Sequence, residues 1–501
     1  MTLLVSVIEY ISMNQTGGHL SYPIDDSFIH MAVAKNLALH GNWGINASEW
    51  VSASSSPLFT LLLSILDKIF SVQVGLPLIL SGIGTVLLIF AMQEEMDNHC
   101  SLNMLNKTIC IISTLTIGAI PALTILGMEH TLQIAFTLFF AHSLASLLTN
   151  HKSKSIGHIA AWAALMTMTR YENSFLVMTA FALLASQKKY KEAFIIAAAG
   201  ILPIALFGFY SMINGGLFIP NSVLMKGGQN LRSVLSFDTA IFERTRTISG
   251  LLLIAIIIVF KKSQSQKKDR DFWILTMLII TGILHGIFGL FGWFYRYEAY
   301  LIVLGCFRLL KIGLNYLQQN GVKEIRKNIV WFGLAGLLLL NLPIRGIESI
   351  PNSILAIHNI YEQQYQMGLF LKQFYKDNSV TVNDIGAVSY FGDSYILDLW
   401  GIGTTEVTFA KKQGKGNNAF IYGLMKEKNT KIAMIYDVWY TKELRDKLYK
   451  VASWEIPNNY ICAYAKVAFY GFSENDATNL KNNLISFQSQ LPKEIKVEYL
   501  R

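Results

Sequence analysis

The sequence predicts a polytopic α-helical membrane protein that ends in a soluble α+β domain. Apolar segments follow one another from about residue 57 to 345, and polar residues with short β-type runs return after 346. Of the 501 residues, 52% are hydrophobic and only 15% are charged, whereas soluble proteins carry about 25% charged residues. A water-soluble core could not bury so much apolar side chain, so the bilayer must be the solvent of this chain.

About eleven transmembrane helices are expected. The N-terminal segment to Ile11 is about half the length of a span; it is either a short tilted helix or part of a longer natural one, and we favour the second. The 57–92 segment could be a kinked span, a short helix plus a span, or a hairpin. The apolar segments lie near 57–92, 107–127, 130–149, 157–170, 174–187, 193–213, 248–260, 272–291, 297–312 and 329–345.

Basic loops between these segments predict the topology. All of them fall on one side, which the positive-inside rule makes cytoplasmic. The net charge of +9 is explained by these loops, so no nucleic-acid partner is expected. The opposite, outer side then holds the first loop, 14–56, and everything after about 346. The basic residues are Lys152 and Lys154, then Lys188, Lys189 and Lys191, then Lys261, Lys262, Lys267, Lys268 and Arg270, then Lys311, Lys323, Arg326 and Lys327.

Two domains are predicted: a transmembrane domain over 1–345, which includes the first outer loop, and an outer α+β domain over 346–501. Strands are expected at 380–382, 432–436 and 461–464, with a hairpin turn at 457–459. A polar helix is expected over 474–491.

Asp25 and Asp26 stand side by side just before the first amphipathic helix, in which Ile29, Val33 and Leu37 share one face and Gly41 is a plausible stop. A helix N-cap explains one aspartate well and two less well. The alternative is acid/base chemistry at a membrane surface.

Arg170 and Glu172 interrupt the apolar run 157–187 at its middle. An ionisable group at bilayer depth normally faces a cavity or a partner. Either the two side chains form a self-satisfying pair, or the guanidinium binds a phosphate by bidentate hydrogen bonds.

Further polar residues fall on the predicted outer side. Each also has a non-functional explanation: an ordinary polar turn, a snorkelling side chain or a solvated lysine. Acidic side chains, an arginine at the base of a cavity and aromatic rings on one face suit an anionic, sugar-bearing lipid. The sequence contains no glycine-rich nucleotide-binding loop. These residues are Glu129 and His130, Asn221 and Lys226, and Arg296 and Tyr297.

With these motifs in order, the chain resembles polyprenyl-phosphate-sugar-dependent glycosyltransferases of the GT-C superfamily, most closely the bacterial terminal arabinofuranosyltransferase-like group. The motifs that carry the resemblance are Asp25-Asp26-Ser27-Phe28-Ile29 with Ala34-Lys35-Asn36-Leu37, Ser54-Ser55-Ser56-Pro57-Leu58, Gly127-Met128-Glu129, Thr169-Arg170-Tyr171-Glu172, Pro220-Asn221-Ser222, Arg296-Tyr297, Asp384-Ile385-Gly386-Ala387 and Leu397-Asp398-Leu399-Trp400-Gly401. His130, Tyr171 and Asn173 depart from the family pattern.

The resemblance implies an inverting transfer of a sugar from a polyprenyl-phosphate donor to an outer-face glycan, lipid or protein. Asp25 would be the general base, because a sugar hydroxyl is a poor nucleophile, and Asp26 would cap the helix and orient the base or the acceptor. Arg170, Arg296 and Lys226 would meet the phosphate.

In the same resemblance Glu129, His130, Glu172, Asn221 and Tyr297 are candidate donor contacts. The sequence gives no firm cofactor or metal site, and a divalent ion stays open as an alternative, since Asp25, Asp26 and Glu129 could bind one if they converge. The expected location is a bacterial plasma (inner) membrane, with the C-terminal domain periplasmic or extracytoplasmic.

Two other functions remain open from the sequence. One is a transporter or flippase of lipid-linked sugars, for which inverted repeats are expected and none is visible. The other is a catalytically silent outer-face scaffold.

Overall fold

The computed structural model describes residues 2–149, 155–226, 239–321 and 328–500. Three predicted features fall wholly or partly outside them: the basic residues at 152 and 154, those at 323, 326 and 327, and the extreme N-terminus. The helices are α1 (Thr2–Gln15), α2 (Asp25–His40), α3 (Pro57–Phe70), α4 (Leu76–His99), α5 (Met104–Ile117), α6 (Ile120–Ile125), α7 (His130–Leu148), α8 (Ile156–Thr169), α9 (Ser174–Ser186), α10 (Tyr190–Ile213), α11 (Asn221–Lys226), α12 (Thr239–Ser263), α13 (Arg270–Phe288), α14 (Ala299–Asn320), α15 (Ile329–Leu339), α16 (Asn341–Ile360), α17 (Gln366–Phe374), α18 (Gly386–Phe391), α19 (Thr405–Lys412), α20 (Asn418–Glu427), α21 (Lys442–Arg445) and α22 (Glu474–Phe487).

The strands are β1 (Ser379–Val382), β2 (Tyr395–Asp398), β3 (Thr430–Ile435), β4 (Tyr449–Glu455), β5 (Lys466–Gly471) and β6 (Lys496–Tyr499).

The described chain forms two compact units, each built from separate stretches of sequence. Unit 1 comprises 78–206 and 227–350, and unit 2 comprises 2–77, 207–226 and 351–501. The last boundary lies within a few residues of the one predicted at 345/346. The predicted division into two functional domains stays a prediction.

Helix α7 is the centre of unit 1, because its side chains are buried on every face. It packs against α8, α13 and α14. Its N-terminal end meets α4 closely: a Cβ on Gly84 would lie 2.4 Å from the Thr131 Oγ1, and the Thr131 hydroxyl donates to the Ser81 carbonyl at 2.8 Å. This close approach holds the turn that precedes α7.

Six helical stretches among the described residues are long and apolar enough, by length and composition, to cross a membrane. Two apolar helices, α5 and α8, are shorter than that. The ambiguous 57–92 segment forms two helices, α3 and α4. The six stretches are Leu76–His99, His130–Leu148, Tyr190–Ile213, Arg270–Phe288, Ala299–Asn320 and Ile329–Phe374.

Unit 2 contains a mixed six-stranded sheet in the order β2-β1-β3-β5-β4-β6. β1 pairs in parallel with β2 and β3, and the remaining pairs are antiparallel. The predicted strands at 380–382 and 432–436 correspond to β1 and β3, and the polar helix corresponds to α22.

The predicted strand at 461–464 is wrong, since this segment lies in the connection between β4 and β5. The Asn459 side chain accepts from the Cys462 N–H at 3.0 Å and donates to the Cys462 carbonyl at 2.8 Å. When an asparagine side chain hydrogen-bonds to a backbone N–H and C=O in this way, those groups are not available for pairing with a neighbouring strand. The predicted turn at 457–459 lies in the same connection.

The segment 14–56, predicted as the first outer loop, belongs to unit 2, where α2 packs against α3 and α18. Phe28 of α2 is fully buried, and its ring contacts those of Tyr365, Tyr390 and Phe391 at centroid distances of 6.3, 6.0 and 5.6 Å. This aromatic cluster fixes the N-terminal turn of α2, and with it the aspartate pair, against the C-terminal segment.

Candidate functional site

Helix α2 begins and ends where the sequence predicts, but its cap differs. Gly41 closes it in the left-handed region, with φ at 69°, a conformation that glycine adopts without strain. The N-cap position is held by Ile24, which makes no side-chain cap bond. The predicted aspartate N-cap is therefore corrected: Asp25 and Asp26 occupy the first turn, where carboxylates complement the helix dipole.

Asp25 instead binds the start of a different helix. Its two carboxylate oxygens accept from the Gly386 N–H at 2.6 Å and from the Ala387 N–H at 2.8 Å, the first two residues of α18. A Cβ on residue 386 would lie only 2.0 Å from the Asp25 carbonyl oxygen. Glycine at this position therefore permits the approach, and the first turn of α18 holds the carboxylate in one orientation.

A second partly buried carboxyl group, Asp384, acts on Asp25 electrostatically. Burial, followed by the negative charge of Asp384, raises the pKa of Asp25 to about 7, although the two backbone N–H bonds lower it. Asp384 Oδ2 accepts from the Gln364 Nε2 at 2.8 Å and from the Tyr436 hydroxyl. A carboxyl group with a pKa near 7 can take up a proton at neutral pH.

Gln364 lies in a π-helical turn, Tyr361–Tyr365, that interrupts the helix between α16 and α17. Such turns are frequent at functional sites. From the sequence, Asp384 was predicted only as part of a motif and without a role, and Gln364 and Tyr436 were not predicted as site residues. No local pattern marks these residues, because they meet only through tertiary packing.

Asp26 forms an ion pair with Lys226, with 2.7 Å between Oδ2 and Nζ. Both side chains are partly buried. Lys226 ends α11, and Asn221 at the start of that helix donates to the Thr405 hydroxyl at 3.3 Å. In unit 2 the fold thus brings Lys226 to the aspartate pair, whereas Asn221 serves to anchor α11.

In unit 1, Arg170 binds two carboxylates. Its Nη2 and Nε donate to the two oxygens of Glu172 at 2.7 and 3.1 Å, and its Nη1 donates to Glu129 Oε1 at 3.0 Å. Arg170 caps the end of α8 with an extended backbone, and the short turn Tyr171–Asn173 leads into α9. The self-satisfying pair considered from the sequence is present, with Glu129 as a third member.

His130, the first residue of α7, completes this polar cluster. Its Nε2 lies 3.9 Å from Glu129 Oε1, and its Nδ1 lies 3.3 Å from Gln133 Oε1. Gln133 in turn donates to Asn173 at 3.3 Å. The turn before α7 and the turn after α8 are therefore joined by side-chain hydrogen bonds.

Arg296 is buried beside the same cluster. Its Nη2 donates to the Tyr297 hydroxyl at 3.2 Å and its Nη1 contacts the Met128 sulfur at 3.3 Å. The Tyr297 ring centroid lies 4.9 Å from the Arg296 guanidinium and 5.5 Å from that of Arg170. One aromatic ring thus holds two buried cations near each other, a favourable cation–π arrangement.

The backbone before Arg296 is strained. Gly292 has a φ of 74°, and Trp293, Phe294 and Tyr295 have φ values of 37°, 57° and 64°. Consecutive left-handed non-glycine residues are rare, and such strain persists only where the surroundings impose it.

Glu298 and Arg345 secure this strained loop. Glu298 accepts from the Gly292 N–H and from Arg345 Nη2, both at 2.8 Å. The Arg345 guanidinium also lies 5.0 Å from the Tyr295 ring centroid. The sequence analysis missed both residues, and the alternating charged and aromatic residues of 293–298 were the only available signal.

The ten predicted site residues are distributed over both units. Unit 2 holds Asp25, Asp26, Asn221 and Lys226, and unit 1 holds Glu129, His130, Arg170, Glu172, Arg296 and Tyr297. Among the described residues, no group of three or more His, Cys, Asp or Glu side chains is arranged to hold a metal ion.

Comparison with known proteins relates the chain to one solved fold. A family model described as a domain of unknown function (DUF8728) matches residues 357–472, and no curated protein matches the sequence. The crystal structure of ArnT from Cupriavidus metallidurans in the apo state is similar with a TM-score of 0.55 at 10% identity, over 95% of this chain and 98% of that chain.

The same ArnT bound to undecaprenyl phosphate gives a TM-score of 0.54 at 11% identity, over the same shares of the two chains. An oligosaccharyltransferase from Archaeoglobus fulgidus in complex with Zn and sulfate gives a TM-score of 0.40 at 11% identity, over 99% of this chain and 74% of that chain. That score is too low to establish a shared fold. The ArnT likeness confirms the predicted GT-C-like fold, a polytopic helical protein with a small C-terminal sheet domain.

Proposed function

We propose that this protein is an inverting glycosyltransferase that moves a sugar from a polyprenyl-phosphate donor to an acceptor hydroxyl outside a bacterial plasma membrane. The observation that carries the proposal is the Asp25 carboxylate, which the backbone N–H groups of Gly386 and Ala387 hold in one orientation. Burial and the charge of Asp384 raise the pKa of this carboxyl group to about 7. The shared fold with an ArnT that binds undecaprenyl phosphate supports the donor class. The acceptor is a glycan, a glycolipid or a protein.

Asp25 acts as the general base in this proposal. It takes the proton of the acceptor hydroxyl while the hydroxyl oxygen attacks C1 of the donor sugar. The bond between C1 and the phosphate oxygen breaks, and polyprenyl phosphate leaves with the electron pair. Asp25 then returns its proton to water. A base whose pKa lies near the operating pH combines a sufficient charged fraction with sufficient basicity.

Asp26 and Lys226 orient the first turn of α2 in this proposal, and they do not transfer the proton. Their ion pair commits the Asp26 carboxylate to a cation.

Arg296 is the preferred phosphate ligand. Its guanidinium is buried, and the Met128 sulfur, the Tyr297 hydroxyl and the Tyr297 ring are among the groups that hold it in place. Arg170 already binds Glu129 and Glu172, so its role is to fix the turn and the Tyr297 ring. The leaving phosphate gains charge in the transition state, and a fixed buried cation stabilises that charge.

The experiment is sugar transfer from a synthetic polyprenyl-phospho-sugar by the purified full-length protein. Asp25→Asn should abolish turnover and retain donor binding, whereas the matched neighbour Asp26→Asn should retain measurable turnover. The wild-type protein should also lose activity as the pH falls through about 7, which tests the base without a substitution.

Three results would count against the proposal. Normal turnover by Asp25→Asn would refute the base. Loss of activity in Asp26→Asn alone would move the base to Asp26. Movement of the intact lipid-linked sugar across vesicles without its cleavage would favour the transporter instead.

A further inference from the structure

A second group of buried charges lies in unit 1, outside the residues assigned to catalysis. Glu95 accepts from Arg270 Nη2 at 2.6 Å and from Arg308 Nη2 at 2.9 Å, and the Lys311 Nζ lies 3.3 Å from it. Asp271 accepts from Arg308 Nη1 at 2.7 Å. Three cationic side chains thus face two carboxylates. These five side chains together carry a net charge of +1 when all are ionised.

This group lies at the opposite end of α7 from Glu129 and His130. Arg270 donates to the His142 carbonyl at 3.1 Å and also to the Ser146 hydroxyl, in the last turns of a helix that begins at His130. A helix of 19 residues is about 28 Å long, close to the thickness of a bilayer hydrocarbon core. The charges therefore lie where α4 and α7 end and α13 begins, at the level of a membrane interface.

Two cavities open beside these charges. The first, of about 320 Å³, is lined by His99, Thr149, Lys267, Lys268, Asp269, Arg270, Asp271 and Lys311. The second, of about 300 Å³, shares His99 and Arg270 with it and includes Glu94, Glu95, Phe139 and His142. Asp269 is paired with Lys262, so Lys267 and Lys268 add two positive charges to the first cavity. That cavity attracts an anion, whereas Glu94 makes the second less favourable for one.

An apolar stripe on α4 leads towards this end of the helix. Ile79, Ile83, Val86 and Phe90 are 58%, 48%, 67% and 56% exposed, and their spacing places them on one face. The helix ends at His99, which lines both cavities, and the buried Glu95 lies on the face opposite the stripe. The stripe therefore marks the lipid-facing side of α4, and its end lies at the same membrane interface as the basic cavity.

We propose that the basic cavity, at the level of the membrane interface, binds the phosphate headgroup of an anionic membrane lipid. Buried pairs hold Arg270 and Lys311 in place, and Lys267 and Lys268 close on the phosphate from the loop before α13. Basic pockets at the ends of transmembrane helices are suited to such headgroups. By the positive-inside argument this is the cytoplasmic leaflet, so the site is distinct from that of the sugar donor.

Retention of lipid by the full-length protein in detergent, measured by native mass spectrometry, tests the inference. The probes are phosphatidylglycerol and phosphatidylcholine of equal chain length. The double variant Lys267→Gln/Lys268→Gln should bind phosphatidylglycerol about 30-fold more weakly, equivalent to about 1 kcal/mol for each lysine. The matched control is Lys188→Gln/Lys191→Gln, two exposed lysines of another basic loop, and it should bind as the wild type does.

Each outcome of this test is decisive. A preference for phosphatidylglycerol that the control keeps and the double variant loses supports the lipid site. Equal retention of the two lipids by the wild type, or of phosphatidylglycerol by the double variant, overturns it. A third arm adds inorganic phosphate alone: if that binds as tightly to the lysine pair as the lipid does, the site recognises free phosphate and the lipid assignment fails. The single variant Lys267→Glu, at an exposed position, repeats the test if the double variant is unstable.

Discussion

The substitution Gly386→Ala directly tests how α18 holds Asp25. The added Cβ would lie 2.0 Å from the Asp25 carbonyl oxygen and 2.7 Å from its Cγ. The first distance is about 1.4 Å short of the 3.4 Å at which ordinary van der Waals contact begins, so the two segments must separate. Hydrogen bonds of 2.6 and 2.8 Å do not survive a separation of that size.

Loss of these two hydrogen bonds should change the pKa of Asp25. Backbone N–H donors favour the charged carboxylate, so their loss should raise the pKa of Asp25 further above its present value of about 7. Each hydrogen bond to a charged group contributes about 1.5 kcal/mol or more, which corresponds to about one pKa unit, so the loss of both bonds corresponds to about two units. The charged fraction at pH 7 then falls from about one half to about one hundredth, and turnover at that pH falls about fiftyfold.

The assay is the pH dependence of kcat/KM for sugar transfer, with Gly423→Ala as the matched control. A Cβ at Gly423 meets nothing within 4 Å, so that variant should behave as the wild type does. In Gly386→Ala, the pH below which kcat/KM declines should rise, and activity should recover at higher pH. An unchanged pH profile in a folded Gly386→Ala protein would refute the reasoning. A loss of activity that high pH fails to restore would indicate overpacking damage instead.

Three further predictions concern the charged neighbours. Asp384→Asn removes a charge that raises the pKa of Asp25, so the acidic limb of the same pH profile should move below about 7; an upward shift would contradict the electrostatic account. Arg170→Lys removes the fork that binds Glu172 and should lower the free energy of unfolding by about 1.5–3 kcal/mol, measured by denaturation in detergent; no destabilisation would mean that the pair is not held as described. Lys226→Gln breaks a partly exposed ion pair worth about 0.2–1 kcal/mol and should reduce turnover no more than about fivefold; complete loss would show that Lys226 contacts the substrate.

The sequence predicted the elements whose signals are local. The apolar segments, the start and glycine stop of α2, the strands at 380 and 432 and the polar helix at 474 all follow from periodicity and turn residues over a few positions. The strand at 461–464 was mispredicted because hydrophobic propensity cannot show that Asn459 takes up the backbone groups of Cys462.

The candidate site was predicted as residue types, and its contacts were not. Composition alone explains why acids and arginines between apolar spans are candidates, since isolated charges are costly in a bilayer. It could not decide between a paired and a phosphate-binding Arg170, because the answer depends on Glu129, 41 residues away. The roles of Glu298 and Arg345 at the strained loop were invisible for the same reason.

By itself, the sequence indicated that this chain belongs in a membrane, where its apolar segments lie, and that two adjacent acids open α2. Tertiary structure alone decided what each acid does. The Gly386 N–H that holds Asp25 is 361 residues away in the chain, and the lysine that pairs with Asp26 is 200 residues away. Hydrophobicity and helix propensity are properties of neighbouring residues, whereas the pKa and orientation of a carboxylate depend on whichever groups the fold brings within a few ångströms.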